Sequence, residues 1–251
     1  DALQLVAVRG KLMQSLPADI GSMSAVLASE EKVSAIIQPL GDKVNIAAIN
    51  APDMLTISGD KESVATAVQL LKDNGIKSVP LTVSHAFHSY LMEPALAAFE
   101  AAADKVSFQE PSIPVMSNVS GGLLQADNLT SKYFGQHLRG TVRFADNLKY
   151  LVNELGISIF VECGPNPTLS GFGEKTFPGE QICWLSSAKK GSSDLSSILK
   201  ALQGLYVVGQ KIQWSSLYQN KPKDRVSLPT YAWQKQVYWE NPVRGIAAGD
   251  Q

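Results

Sequence analysis

Hydrophobic and polar positions follow two alternating periods along the first third of the chain. SMSAVLA, VNIAAIN and MLTISG have the composition and short period of strands, whereas EEKVSAIIQPL and KESVATAVQLLKDNG repeat every three to four residues, as helices do. Gly75 is placed to end the second helix, and IKSVPLTV supplies a last strand. The order βαββαβ predicts a ferredoxin-like unit over residues 22–84.

From about residue 89 the pattern changes to longer helices separated by short strands. FADNLKYLVNEL is an amphipathic helix, and ISIFVECG is a continuous apolar run typical of a parallel strand covered on both faces. Strands that alternate with helices predict an α/β sheet. The ferredoxin-like unit is therefore predicted to be an insertion into a larger α/β body formed by residues 1–21 and 85–211.

The first residues have a helical period at once. In DALQLVAVRGKLMQ the apolar positions Leu3, Val6, Leu12 and Met13 can share one stripe. A helix without an approach segment suggests that its upstream neighbours have been removed. We therefore expect the α/β body to begin before residue 1.

The end of the chain has a different composition. WSSLYQNKPKDRVSLPTYAWQKQVYWENP is rich in Trp, Tyr and Pro and has no regular period. Aromatic residues clustered in an extended segment favour packing along a surface groove, so residues 212–245 are predicted to be a docking linker. A flexible C-terminus is the alternative. Residues 246–251 are predicted to be a flexible tail.

Composition excludes several functions. The 251 residues are 45% hydrophobic and carry a formal net charge of -1, so no basic field attracts nucleic acid or anionic lipid. No signal peptide and no apolar run of membrane-spanning length occurs. Cys163 and Cys183 lie in apolar contexts without metal-ligand spacing and are expected to be buried, reduced thiols, which favours a cytoplasmic protein.

The segment SHAFHSYLMEP carries the clearest chemistry. It places two of the three histidines, His85 and His88, around Phe87, directly after a predicted strand. Histidine is the side chain best suited to proton transfer near neutral pH. No GxSxG nucleophile turn occurs in the sequence. The chain is therefore expected to hold part of an active site rather than all of one.

Several motifs in order resemble one family. DALQLVAVRGKLMQ, VNIAAINAPDMLTISG and SHAFHSYLMEP are followed by PVMSN, TVRF and FVECGPNPTLSG. The chain resembles the malonyl-CoA:acyl-carrier-protein acyltransferases, specifically the acyltransferase domains of modular type I polyketide synthases. LPTYAWQKQVYW is similar to the linker that follows those domains. The resemblance implies an α/β-hydrolase-like body, incomplete at its N-terminus, with an inserted ferredoxin-like subdomain.

The resemblance also implies roles for particular residues. The family uses a Ser–His pair, and its histidine matches His88, which would take the serine proton and return a proton to the leaving thiol. Arg9 matches the arginine that binds the free carboxylate of malonyl. The sequence His85-Ala86-Phe87-His88 matches the form associated with malonyl rather than methylmalonyl units, because Phe87 fills the space of an α-methyl group. His85 would shape the pocket without proton transfer.

Other matches to the family give weaker evidence for a functional role. Asn118 aligns with an asparagine near the family's active site, although a structural role at a strand end is equally compatible. Arg143 lies where the family uses a backbone carbonyl to orient the histidine, so its side chain is not implicated. Glu162 is interpreted as stabilising a turn, and His137 as structural. Neither Ser170 nor Ser22 has the context of a nucleophile.

The expected function is transfer of a malonyl unit from malonyl-CoA to the phosphopantetheine thiol of an acyl carrier protein, in polyketide biosynthesis. No bound cofactor is expected; coenzyme A enters as a thioester substrate. Because the GHSxG segment is absent from the sequence, the chain alone is predicted to be inactive. Expected partners are the carrier protein, a ketosynthase domain contacted through Trp233, Tyr238 and Trp239, and the missing N-terminal segment. A scaffold module without catalysis is the alternative.

Overall fold

A computed structural model describes residues 2–218 and 226–236. The chain divides into two compact units, Asp1–Gln210 and Lys211–Gln251.

Helices and strands alternate through most of the first unit. The strands are β1 (Gly21–Val26), β2 (Val44–Ala51), β3 (Met54–Asp60), β4 (Ser78–Leu81), β5 (Met116–Ser117), β6 (Gly122–Leu123), β7 (Ile159–Glu162) and β8 (Cys183–Ser186). The helices are α1 (Ala2–Gln14), α2 (Glu30–Ile37), α3 (Lys61–Asp73), α4 (Glu93–Ala103), α5 (Ser131–Arg139), α6 (Phe144–Asn153), α7 (Thr168–Thr176) and α8 (Asp194–Val207). Short 3₁₀ turns cover Gln38–Lys43, Tyr90–Met92 and Ala126–Asn128.

The predicted ferredoxin-like unit is present. Its four strands form one antiparallel sheet in the order β2-β3-β1-β4, and α2 and α3 pack on the sheet. Asp60 caps α3, because its side chain accepts a 2.8 Å hydrogen bond from the Ser63 N–H. The alternate apolar positions of the strands meet the apolar stripes of the helices in a closed core. Its fully buried members include Val26, Val33, Leu55, Ile57 and Leu71.

A β-bulge in β2 joins this sheet to the segment before α6. The register of β2 on β3 shifts between Ile46 and Ala48, so Ala47 has no paired residue on β3. The carbonyl of Ala47 instead accepts a 2.9 Å hydrogen bond from the Val142 N–H, and the Ile49 N–H donates to the Val142 carbonyl over 2.8 Å. The bulge therefore lets β2 pair on one side with a part of the chain about ninety residues away in sequence.

A second apolar cluster forms among α1, α4 and α5. Leu5, Met92, Phe99 and Leu138 are buried there, and Leu12 and Met13 pack against them. The predicted stripe on α1 is wrong in its first half, since Leu3 is 82% and Val6 66% exposed. The face that contacts α4 is set by Leu5 and Val8 instead.

β7 and β8 pair in parallel, and Ile159 lies opposite Cys183. Phe160 stacks on Trp184 with ring centroids 4.4 Å apart. The prediction that β7 is covered on both faces is wrong for the part of the chain that the structure describes, because Val161 is 44% exposed. The apolar sequence of β7 shows that its side chains favour burial. Among the described residues, however, α7 and α8 cover only part of the β7–β8 pair.

The two cysteines also depart from expectation. Cys163, directly after β7, is exposed, and Cys183 in β8 is half-buried. Both are free thiols. The prediction of two buried thiols is therefore wrong.

The second unit contains one short helix among its described residues, α9 (Trp214–Leu217). Tyr231 and Trp233 form an edge-to-face ring pair 5.3 Å apart, and Trp233 is largely exposed. Tyr238 and Trp239 lie outside the described residues. The linker, the tail and the predicted boundaries of the domains remain predictions. No helix among residues 2–218 and 226–236 has the length and hydropathy needed to cross a bilayer.

Candidate active site

His88 lies in a tight turn after β4. Its φ is 57°, in the left-handed region that non-glycine residues seldom adopt. The fully buried Ser89 supports the turn: its hydroxyl donates to the Ala86 carbonyl over 2.6 Å and accepts from the Leu91 N–H. Such a conformation persists when the surrounding contacts determine it, and it is common at functional sites.

The ring of His88 is oriented by a backbone carbonyl. Nδ1 lies 2.9 Å from the carbonyl oxygen of Gly140. Because a carbonyl only accepts, Nδ1 carries the hydrogen, and in the neutral ring Nε2 is left as an acceptor. The ring is thus held in the tautomer that a general base needs, with Nε2 available to take a proton.

The identity of that carbonyl corrects the sequence interpretation. The carbonyl of Arg143 was expected to orient the histidine, but it accepts a 3.1 Å hydrogen bond from the Asn147 N–H. Arg143 is the N-cap of α6, so its carbonyl takes part in the first turn of the helix. Its side chain pairs with Asp146 at 2.6 Å and Glu30 at 3.4 Å. Gly140 lies before α6, so its carbonyl takes no part in that helix and accepts from His88 Nδ1 instead.

The pKa of His88 is lowered from 6.5 to about 4. Burial of the ring is the largest cause, and the charge of Arg9 and the ring of His137 act in the same direction. The hydrogen bond to Gly140 opposes the shift, since it favours the protonated ring. His88 is therefore neutral at neutral pH, which is the protonation state of a base.

A cavity of about 340 Å³ opens beside Arg9. Most of its walls are apolar, and its polar members include Arg9, Asn118, Tyr133 and His137. Arg9 projects from α1; its Nε is buried and has no hydrogen-bond partner among the described residues, and burial lowers the pKa of its guanidinium. A half-buried guanidinium with an unsatisfied Nε favours a negatively charged partner, so this cavity is suited to an anionic group.

Asn118 lies in this cavity and also stabilises the adjoining backbone. Its Oδ1 accepts from Asn147 Nδ2 over 2.8 Å, and its carbonyl accepts from the Arg143 N–H over 2.9 Å. Asn118 therefore lines the cavity, and its hydrogen bonds link the segment after β5 to α6; its role near the acyl group stays a prediction.

His137 belongs to the site, although the sequence interpretation made it structural. It lines the same cavity as Arg9, and its ring centroid is 6.5 Å from that of His88. Burial, followed by the charge of Arg9, lowers the pKa of His137. The sequence around His137 contains no motif that would have indicated this position.

His85 and Phe87 are not among the described residues that line this cavity. His85 is buried, with Nε2 3.2 Å from the Leu16 carbonyl and Nδ1 3.1 Å from the Ser84 hydroxyl. Phe87 packs against the cluster of α1, α4 and α5, 6.1 Å from the ring of His85. Their roles in selecting the acyl group remain predictions.

Glu162 has the structural role that the sequence indicated. Its carboxylate accepts from the N–H groups of Leu169 and Ser170 and from the Ser170 hydroxyl, at 2.7 to 3.0 Å. Burial raises the pKa of Glu162, but these hydrogen bonds outweigh it and the pKa is lowered. The carboxylate thus stabilises the start of α7, and Ser170 is engaged in that contact. No metal-binding cluster of His, Cys, Asp or Glu occurs in the described part of the chain.

Comparison with known proteins agrees with this geometry. Residues 1–211 match the family described as "Acyl transferase domain". The chain belongs to this family. It is 40% identical to the phenolphthiocerol synthesis polyketide synthase type I Pks15/1 of Mycobacterium marinum, over 96% of this chain and 11% of that protein. It is 38% identical to polyketide synthase GfsA of Streptomyces halstedii, over 95% of this chain and 3% of that protein.

Solved acyltransferase structures share the fold. The acyltransferase domain from the second module of the salinomycin polyketide synthase superimposes with a TM-score of 0.85 at 37% identity, covering 92% of this chain and 54% of that one. The malonyl CoA-acyl carrier protein transacylase of Clostridium perfringens gives a TM-score of 0.73 at 30% identity, covering 82% of this chain and 65% of that one. The α/β acyltransferase fold is confirmed. The chain spans about half the length of the salinomycin domain and a small part of the curated synthases.

Proposed function

We propose that this acyltransferase chain contributes to the transfer of a malonyl unit from malonyl-CoA to the phosphopantetheine thiol of an acyl carrier protein in polyketide biosynthesis. One observation carries the proposal: a cavity with apolar walls contains the half-buried side chain of Arg9, and His137, which lines the same cavity, has its ring centroid 6.5 Å from that of His88. A negatively charged acyl group bound at Arg9 would then lie near the proposed general base.

His88 acts as the general base and acid. Nε2 takes the proton of a serine hydroxyl as the serine oxygen bonds to the thioester carbonyl, and the protonated ring then gives that proton to the departing coenzyme A sulfur. In the second half-reaction the ring takes the proton of the carrier thiol and returns it to the serine oxygen. The Gly140 carbonyl keeps Nδ1–H fixed during both steps.

Arg9 selects the substrate by charge. A planar guanidinium can bind the free malonyl carboxylate through two parallel hydrogen bonds. An acetyl group would leave the half-buried guanidinium without a charged partner, so acetyl is expected to bind more weakly than malonyl. Asn118 and His137 line the same cavity and add polar contacts for the acyl group.

Selection against a methyl branch rests on Phe87. Phe87 is not among the described residues that line the Arg9 cavity, but its ring is proposed to take up space that an α-methyl group would need, and it lies 6.1 Å from the ring of His85. One methyl group in an apolar pocket is worth about 1–3 kcal/mol. A preference for malonyl over methylmalonyl is expected, without complete exclusion.

The nucleophile is proposed to come from polypeptide outside these 251 residues. The sequence contains no GxSxG segment, and the chain matches 54% of the length of the salinomycin domain. The chain alone is therefore expected to be inactive. The carrier protein and a ketosynthase domain are the proposed partners, the cytoplasm is the proposed location, and no resident cofactor is required. The alternative of a non-catalytic scaffold has no specific observation in its favour.

Radiolabelled malonyl-CoA tests the proposal. The chain is incubated alone, and also joined to an upstream polypeptide from a related acyltransferase that carries the GHSxG segment. We expect covalent label on the joined protein only. Arg9→Ala should reduce malonyl labelling far more than acetyl labelling, and Lys11→Ala on the same helix serves as the matched control. Stable label on the chain alone would overturn the placement of the nucleophile.

A further inference from the structure

We propose that strand β2 of the small sheet positions His88, with Asn45 and Thr141 as the positioning residues. The inference rests on the proposed role of His88 as the base. The ring of His88 and the carbonyl that accepts its hydrogen bond are both held by β2. The turn that carries His88 and the backbone that carries the Gly140 carbonyl are hydrogen-bonded to the same few residues of that strand.

The first attachment holds the turn of His88. Asn45 in β2 accepts a 3.1 Å hydrogen bond through Oδ1 from the N–H of Tyr90, two residues after the histidine. The Tyr90 hydroxyl donates to Asp60 Oδ2 over 3.2 Å, at the end of β3. The strained backbone of His88 is thus fixed on its C-terminal side by two neighbouring strands of the small sheet.

The second attachment holds the carbonyl acceptor. The Thr141 hydroxyl donates to the Ile46 carbonyl over 2.6 Å, and the Val142 N–H donates to the Ala47 carbonyl over 2.9 Å. Both acceptors lie at the bulge of β2, where the register on β3 shifts. Gly140, whose carbonyl meets His88, directly precedes these two residues.

Histidine and acceptor are therefore held by three consecutive residues of β2: Asn45, Ile46 and Ala47. A bulge turns backbone groups away from the regular strand pairing, and bulges frequently lie beside active sites, where they re-aim side chains. Here the bulge gives β2 free acceptors for residues 141 and 142. Removing either side-chain attachment should loosen the His88–Gly140 hydrogen bond without touching either partner.

The tautomer of His88 gives a direct test, because the sequence contains only three histidines. The full chain is prepared with ¹³C,¹⁵N-labelled histidine, and the ring signals are recorded by NMR at pH 7; His88→Gln identifies the signal of His88. We expect the Nδ1–H tautomer in the unmodified chain. Thr141→Val and Asn45→Ala should each lower the ratio of Nδ1–H to Nε2–H roughly three- to tenfold, the range of one net hydrogen bond.

Matched variants separate positioning from general loosening. Thr66→Val and Asn74→Ala remove comparable side-chain bonds to the Glu62 and Leu70 carbonyls of α3 and should leave the ratio unchanged. Thr141→Ser and Asn45→Asp keep the required hydroxyl and oxygen and should restore the ratio. If Thr141→Val fails to fold by circular dichroism, the Asn45 pair decides.

The proposal is overturned if the folded Thr141→Val and Asn45→Ala variants keep the tautomer ratio of the unmodified chain, or if that chain holds His88 as Nε2–H. The NMR experiment measures the tautomer of His88 and does not depend on acyl transfer. A tautomer shift in these variants, together with undiminished labelling of a His88→Ala joined protein, would retain the positioning role and reject His88 as the base.

Discussion

The four-stranded sheet of β1–β4 and the parallel pair β7–β8 differ in how completely they are covered. The small sheet has α2 and α3 on one face, and core residues such as Val26, Ile57 and Leu71 have no exposed surface. No residue of β7 or β8 is fully buried, and apolar side chains of α8 such as Leu199 remain exposed. The small sheet has a buried core of its own, although its edge strand β4 is mostly exposed, whereas the parallel pair has little core of its own among the described residues.

This difference explains where the site is built. His88 follows the last strand of the closed unit, and Gly140 is attached to the bulge of β2 in the same unit. Arg9 and His137 come instead from α1 and α5, which pack with α4 in the second cluster. The proposed general base is thus anchored to the small sheet, and the proposed carboxylate-binding side of the cavity is anchored to the neighbouring helices.

Leucine truncation tests the comparison with the largest expected effect. Leu71→Ala in α3 removes a side chain with 0% exposure and should cost about 2–5 kcal/mol of unfolding free energy, since it leaves a cavity. Leu199→Ala in α8 removes a 43% exposed side chain and should change stability by about 0.5 kcal/mol or less. Urea unfolding followed by circular dichroism measures both. Equal losses would contradict the contrast between the two regions.

The second prediction concerns the pH dependence of stability. The pKa of His88 is lowered from 6.5 to about 4, so the neutral ring should contribute on the order of 3 kcal/mol to the unfolding free energy at neutral pH. The unfolded chain binds a proton at this ring below pH 6.5, whereas the folded chain does so only near pH 4. Stability should therefore be fully present above pH 6.5 and fall as the pH decreases towards 4.

His88→Gln should flatten this pH dependence, while Leu199→Ala should keep it. Urea unfolding at pH 7.0, 6.0 and 5.0 measures the difference between the variants. His137, whose pKa is also lowered, should leave a smaller residual slope in His88→Gln. A slope unchanged by the His88 substitution would show that the ring titrates normally.

Glycine substitution sharpens the comparison through backbone packing. A Cβ at Gly59 in β3 would collide with the Lys43 carbonyl at the edge of β2, so Gly59→Ala should cost about 1–3 kcal/mol by overpacking. Gly171 in α7 has open space around it, and Gly171→Ala should gain about 0.5–1 kcal/mol because alanine favours helix. Opposite shifts of the melting temperature are expected, and a stabilising Gly59→Ala would contradict the close β2–β3 approach.

The smallest effect is expected at the ion pair that links α2 to α6. Glu30 and Arg143 are 3.4 Å apart and partly exposed, so solvent screens their attraction. Glu30→Gln should cost less than about 1 kcal/mol, and 0.5 M NaCl should remove most of that difference. Glu31→Gln, the neighbouring residue of the same helix, is the control. A loss of unfolding free energy larger than that of Gly59→Ala would mean that the Glu30–Arg143 pair, rather than the bulge of β2, mainly joins the small sheet to the segment before α6.

Local patterns predicted the fold where burial is determined by neighbouring residues. The βαββαβ order follows from apolar periods, and a stabilising role of Glu162 in a turn follows from its position after a strand. The covered state of β7 and the buried face of α1 could not be predicted this way, because they depend on what other parts of the molecule supply. Leu3 and Leu5 are the same residue type two positions apart, and only the contact with α4 distinguishes them.

In the candidate site, too, features that depend on distant contacts were not predicted from the sequence. His88 and Arg9 were found through their motifs, but the carbonyl that orients His88 was placed at Arg143, three residues from Gly140. A backbone carbonyl has no sequence signature, and its availability depends on where α6 begins. His137 was missed because a histidine on a helix of mixed composition has no distinctive pattern. Its position in the same cavity as Arg9 arises because α1 and α5 both pack against α4.

The rate of acyl-enzyme formation tests the central claim most directly. The chain is joined to an upstream acyltransferase segment carrying the serine, and covalent malonyl label is followed in single-turnover mixing at pH 7. His88→Ala should slow labelling by about 10²–10⁴-fold, the usual contribution of general base catalysis, while Asn74→Ala should leave it unchanged. A His88→Ala protein that is folded and forms the acyl-enzyme at the unmodified rate would contradict the assignment of His88 as the base.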